Sequence, residues 1–220
     1  MVFQEFMQPS TEEFTEVFSF FNSTRATEMI LDLRYNPGGF MDVATLLASL
    51  ITGENTAGKV FTKNIYNDKK SDENSSALFE EQTNSLNLNR VIILTTGGTA
   101  SASEALINGL KPYIDVVTIG DVTYGKPVGM RVFVYEDYVF LPITFRIANS
   151  DDESDYYDGI QPDAFFDDDF TRAFDNREEA CLKEAIYYLE NGSFSGTKGR
   201  KVKPHEEKVS YRELLEKRAI

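Results

Sequence analysis

Three segments of this chain combine glycines with side chains able to do covalent chemistry. Asp32-Leu33-Arg34-Tyr35-Asn36-Pro37-Gly38-Gly39 ends an apolar run in a glycine pair at the mouth of a helix. Backbone N–H groups lack intrahelical partners there, so the turn can hold an anion or an oxyanion. Taken alone, a plain strand-to-helix turn with glycines supplying positive φ is the commoner explanation. Gly97-Gly98-Thr99-Ala100-Ser101-Ala102-Ser103-Glu104 repeats the arrangement with a hydroxyl at the helix mouth. Ser101 and Glu104 fit S-x-x-E, so Ser101 reads as an N-cap. It also reads as a nucleophile whose following amide, Ala102 N–H, faces a developing oxyanion. The third segment, Gly120-Asp121-Val122-Thr123-Tyr124-Gly125-Lys126-Pro127, nearly matches the phosphate loop G-x-x-x-x-G-K-[ST]. Pro127 stands where the magnesium-binding hydroxyl belongs and removes an N–H from the cradle, which argues against a nucleotide loop. Lys126 has apolar company in Val122, Tyr124, Val128 and Met130. Desolvation lowers an ammonium pKa, and a neutral lysine can serve as a general base.

Composition narrows the choice of base. The 220 residues include one histidine, His205, one cysteine, Cys181, and no tryptophan. An intrachain disulfide is therefore impossible, and a Cys/His zinc site lacks ligands. A Ser-His-Asp triad would rest on His205 alone, inside the polar stretch Lys203-Pro204-His205-Glu206-Glu207, where a solvated surface role is expected. Lysine is the remaining base type that commonly activates serine. The local S-x-x-K spelling at Ser195-Gly196-Thr197-Lys198 sits in a glycine-rich tail and reads as accidental. Lys+Arg 22 against Asp+Glu 36 gives a net charge of −14, which repels phosphate backbones and makes nucleic acid an unexpected partner. Residues 151–179 hold twelve acids and two arginines, read as solvated surface. Calcium binding by Asp151, Asp152 and Asp155 lacks the glycine and terminal glutamate of an EF-hand loop. No stretch approaches the length of a membrane helix, and MVFQEF has neither the basic nor the apolar region of a signal peptide.

The reactive segments need elements to hold them. Residues 2–6 read as a short strand and 12–22 as a helix, whose Phe14, Val17, Phe18 and Phe21 share one face and whose Ser10 and Glu13 fit a capping box. Residues 29–33 form a buried strand and 41–51 an apolar helix; the polar stretch 67–90 reads as a loop or flap. A strand at 91–95, a helix at 102–110 and a strand at 116–119 follow, then strands near 130–135 and 138–144. Helix periodicity returns from Cys181 to Leu189. Alternation of this kind indicates an α/β domain with parallel pairings.

In this order, the three segments resemble the C-terminal processing (tail-specific) serine peptidase family. The family pattern, roughly D-L-R-x-N-x-G-G, S-A-S-E and T-[FY]-G-K, is met by DLRYNPGG at 32–39, SASE at 101–104 and TYGK at 123–126. Gly159-Ile160-Gln161-Pro162-Asp163 is similar to its later G-I-x-P-D. The resemblance covers roughly residues 1–190. It implies a Ser-Lys dyad in which the serine stands twenty-five residues before the lysine, selecting Ser101 over Ser103 as partner of Lys126. It further implies an oxyanion hole from Ala102 N–H and a glycine N–H of Gly38 or Gly39, with no metal or organic cofactor. The implied fold is an α/β superhelix of β-β-α units, ClpP- and crotonase-like, with mixed sheets and flanking helices.

Two departures accompany the match. The family usually carries a glutamine four residues after the lysine, where this chain has Met130. It also typically places a peptide-binding PDZ module before the core, and this chain starts inside the core. The expectations are a catalytic core at 1–190 with a basic extension at 191–220, trimmed or truncated from an exported, cell-envelope parent. The expected partners are protein or peptide substrates cleaved near their C-termini. Two rivals remain: a peptide-binding scaffold with weak or no turnover, motivated by Met130, and a crotonase-like acyl-CoA enzyme, which the −14 charge disfavours.

Overall fold

A computed structural model describes residues 1–196. His205, Lys198 and most of the basic extension lie outside the described residues. The elements run α1 (Ser10–Ser23), β1 (Ile30–Asp32), α2 (Met41–Thr52), β2 (Val60–Ile65), β3 (Ser75–Leu78), β4 (Arg90–Thr95) and α3 (Ala102–Leu110). They continue through β5 (Asp115–Gly120), β6 (Val128–Met130), β7 (Phe133–Tyr135), β8 (Tyr138–Phe140), β9 (Ile143–Ala148), β10 (Ala164–Phe165) and α4 (Ala180–Asn191).

One sheet has the order β1-β4-β5-β10, with every pair parallel. A parallel strand with helices on both sides must be apolar on both faces, which is why β4 is a continuous run rather than an alternating one. Its Val91 and Ile93 face the larger core, with Leu31, Leu47 and Leu106, while Ile92 and Leu94 face Ile119, Cys181 and Ala185. Helices α2 and α3 thus line one side and α4 the other. The buried Cys181 thiol is pushed up to about 12, first by desolvation, so it is inert packing rather than a nucleophile.

A second sheet, β3-β2-β9-β6, is antiparallel, so the mixed α/β architecture expected from the sequence is present. Four local expectations need correction. The stretch 67–90 is not only a flap, because β3 pairs with β2 within it. The strand expected at 130–135 is broken between Met130 and Phe133, and β7 and β8 form a separate two-stranded sheet. Ser10 is no N-cap: Pro9 takes that place, with no side-chain cap, and Ser10 begins the helix. Proline's fixed φ suits a helix start, so the turn enters one residue early. Residues 2–6 make only two isolated parallel bridges, Val2 with Asp32 and Phe6 with Gly39.

Candidate active site

The three glycine-bearing segments leave the carboxyl ends of β1, β4 and β5, which are neighbours in one parallel sheet. Crevices outside such strand ends are where open α/β sheets bind ligands. Asn36 ties the first two segments together. Its carbonyl accepts from Ala100 N–H at 3.0 Å and from the Ser103 hydroxyl at 3.1 Å. Its side chain accepts from Gly38 N–H at 2.9 Å and donates to the Phe3 carbonyl at 2.9 Å. Thr99 adds a hydroxyl bond to the Leu33 carbonyl at 2.8 Å, and its own carbonyl accepts from Tyr124 N–H at 2.9 Å.

Ser101 immediately precedes α3 with φ 56° and ψ −113°, a conformation few non-glycine residues adopt. A strained turn of this kind lifts a side chain out of the regular path between strand and helix. Gly38 presses against it. At φ +97°, a Cβ on Gly38 would lie 2.7 Å from Ala102 N and from Ala100 O, and 2.9 Å from Ser101 Cβ. The first glycine of the pair is therefore what lets the 36–39 loop approach the serine turn. Ala102 is the first residue of its helix, so its N–H has no intrahelical acceptor. The Gly39 bridge to Phe6 uses the flanking Gly38 carbonyl and Phe40 N–H, which leaves Gly39 N–H facing away from residue 6.

Glu104 joins the serine turn to the lysine loop. This fully buried carboxylate accepts four hydrogen bonds: Ser101 N–H at 2.9 Å, Thr123 Oγ1 at 2.5 Å, Gly125 N–H at 2.6 Å and Lys126 N–H at 2.8 Å. Ser101 and Lys126 donate to the same oxygen, Oε2, so their amide nitrogens are no farther apart than those two bonds combined. Burial pushes the carboxyl up from its ordinary value, and the four donors oppose that rise. Thr123 extends the tie, because its hydroxyl also accepts from Ile160 N–H at 2.7 Å. The fourth motif, 159–163, is thereby fixed beneath the lysine loop, with Asp163 accepting from Thr118 N–H and hydroxyl.

Compared with known proteins, residues 1–165 match the family model described as peptidase family S41. This chain belongs to peptidase family S41. It is 27% identical over 158 residues to the carboxy-terminal processing protease CtpA of Bacillus subtilis, covering 71% of this chain and 32% of that protein. It is 31% identical over 135 residues to the carboxyl-terminal-processing protease of Synechocystis, covering 61% and 30% respectively. The chain thus spans less than a third of these curated relatives. A crystal structure of a Bacteroides fragilis protein assigned to the S41 proteases aligns with a TM-score of 0.81 at 28% identity, covering 87% of this chain and 54% of that one. The photosystem II D1 C-terminal processing protease shares the fold, with a TM-score of 0.61 over 76% of this chain and 41% of its own, at 21% identity.

For this S41 chain, the structure brings Gly38, Gly39, Ser101 and Ala102 to one place and links the Lys126 main chain to them through Glu104. Among the described residues, no hydrogen bond joins the Lys126 ammonium to the Ser101 hydroxyl. Met130 ends the short edge strand β6 and is 43% exposed. Asp152, one of the acids weighed for calcium, pairs with Lys63 at 2.7 Å.

Sequence reasoning missed a second cluster behind the 32–39 loop. The Arg34 side chain is fully buried and pairs with Asp32 at 2.7 Å, Asp168 at 2.8 Å and Glu179 at 3.0 Å. Its guanidinium also lies 4.8 Å from the Phe174 ring centroid. Burial opposes the Arg34 charge, but the Asp32 hydrogen bonds and the surrounding carboxylates outweigh it and hold the guanidinium charged. Tyr35 donates its hydroxyl to Asp168, and its pKa is raised by burial and then by that bond. One signal was available: an arginine at the end of a buried apolar strand needs acids, and residues 167–179 are rich in them.

Proposed function

We propose that this chain carries a serine peptidase core in which Ser101 is the nucleophile and Lys126 the general base. Ser101 Oγ attacks a scissile carbonyl while its proton passes to Lys126 Nζ. The oxyanion that forms is held by Ala102 N–H and a glycine N–H. Gly38 N–H already donates to Asn36 Oδ1, so the glycine donor falls to Gly39. Each such donor is worth about 3–4 kcal/mol of transition-state stabilisation in serine hydrolases. Collapse of the tetrahedral intermediate leaves an acyl-enzyme as the amine departs with a proton from Lys126. Water then attacks, with Lys126 again accepting the proton.

The observation that carries this reading is the shared Glu104 oxygen. It binds the main chains of both proposed reacting residues and fixes their loops relative to each other in the absence of substrate. Substrates are protein chains cut near their C-termini, as the names of the curated relatives suggest. The proposed setting is the cell envelope, with the catalytic core at 1–190. In a peptide-hydrolysis assay, turnover should fall to background in Lys126→Ala while substrate binding persists. Undiminished turnover in that variant would remove lysine from the mechanism. Met130 is the observation favouring a scaffold with little turnover; Met130→Gln should then raise kcat.

A further inference from the structure

Among the described residues, the β7–β8 hairpin forms a two-stranded sheet apart from the two larger ones. Every residue from Met130 to Ile143 is exposed, although ten of the fourteen are large apolar or aromatic side chains. Phe133 pairs with Phe140, Val134 with Val139 and Tyr135 with Tyr138. Since side chains alternate across a strand, the four aromatics share one face and the two valines the other. The two strands form a sheet of their own, so both outer edges carry unpaired backbone groups among the described residues. A lone two-stranded hairpin is marginal in water, and exposed apolar surface of this extent marks an interaction site.

Charge and position select the occupant. The hairpin turns through Glu136 and Asp137, next to the Tyr135–Tyr138 pair, on a chain of net charge −14. That tip repels an anionic bilayer, and a second copy would bring two acidic surfaces together. A polypeptide with apolar side chains and a lysine or arginine suits every part: aromatic face, open edge, acidic tip and tyrosine rings for cation–π contact. The hairpin also continues directly from the lysine loop, with six residues between Lys126 and Phe133. At about 3.3 Å per residue, an extended segment of about seven residues spans that separation at most.

We propose that the 133–140 hairpin is an exosite that captures an extended, apolar, basic stretch of the substrate by strand addition, outside the cleavage site. The proposal rests on the peptidase reading for what the captured chain is for, but capture itself is read without turnover. The probe is a fluorescent peptide of about sixteen residues, rich in Phe and Val with two lysines, long enough to leave the cleft and reach the hairpin. Its affinity is measured by anisotropy on the Ser101→Ala protein. Adding Phe133→Ser and Phe140→Ser should weaken binding about tenfold or more, the effect of truncating interface anchors. Because those changes could disturb the hairpin, Glu136→Lys with Asp137→Lys is the second variant. It should weaken this peptide several-fold and strengthen one with glutamates in place of the lysines. On the Ser101-containing protein, cleavage of a tetrapeptide should be unaffected by either pair. Unchanged affinity in both pairs overturns the proposal, as does a dimer in sedimentation that the Phe variants dissociate, or hairpin-dependent binding to anionic phosphatidylserine vesicles in place of the peptide. If the hairpin pairs abolish capture yet the unaltered protein cleaves no peptide, the exosite stands and the peptidase reading falls.

Discussion

Glu104 Oε2 receives the Ser101 N–H and the Lys126 N–H, and the same carboxylate holds Thr123 and Gly125. The pairing of Ser101 with Lys126 could be read from spacing and resemblance. The pattern S-x-x-E predicted a bond from Glu104 back to Ser101, and Ser101 N–H donates one. Its reach to residues 123–126 is a tertiary contact, which no local pattern encodes. Because burial raises the Glu104 pKa in the folded state, its protonated form is favoured by folding. That contribution is fully present below the ordinary glutamate value and is lost as pH rises through the raised folded value. Chemical denaturation across this window should therefore show the stability margin of the unaltered protein over Glu104→Gln growing as pH falls. A margin that shrinks in acid would show that the four donors outweigh burial. Gly38→Ala tests the other contact at this scale. Positive φ alone costs about 1–3 kcal/mol, and the new Cβ meets backbone atoms at 2.7 Å. Thermal unfolding should show a loss at least that large, and activity should vanish; a neutral substitution would mean the two loops are not in contact.

At the scale of elements, the site depends on loops leaving three adjacent parallel strands, and those strands were legible as apolar runs. Helices α2 and α3 were legible too, because their apolar faces repeat at the helical period. Strand β3 was not, since Ser75–Leu78 is short, polar and mostly exposed, and forms only because β2 offers it an edge. The Arg34 cluster escaped for a related reason: its partners lie more than 130 residues away in sequence for Asp168. It holds the 166–179 segment against the strand end that leads to Gly38 and Gly39. Arg34→Met should leave Asp32 and Glu179 buried without their cation, at a cost of about 3–5 kcal/mol. Thermal melts would record that loss, and limited proteolysis should cut the 166–179 segment faster. If both stay unchanged, the cluster does not anchor the segment.

For the molecule as a whole, the proposed pairing of Ser101 with Lys126 would explain why one histidine and one cysteine suffice. A lysine-based hydrolase needs neither, and the acidic surface is free to serve solubility or substrate choice. What the sequence did not disclose at this scale is the isolated hairpin. Its strands are continuous apolar runs, Val132-Phe133-Val134-Tyr135 and Tyr138-Val139-Phe140-Leu141, like those of a buried strand pair, and only the fold shows them exposed among the described residues. The central claim remains the chemistry of Ser101 with Lys126. Labelling of the intact protein with a fluorophosphonate, followed by mass spectrometry of the modified peptide, tests it most directly. The account predicts one adduct, on Ser101, absent in Ser101→Ala and strongly reduced in Lys126→Ala. An adduct on another serine, or labelling that survives in Ser101→Ala, would contradict it.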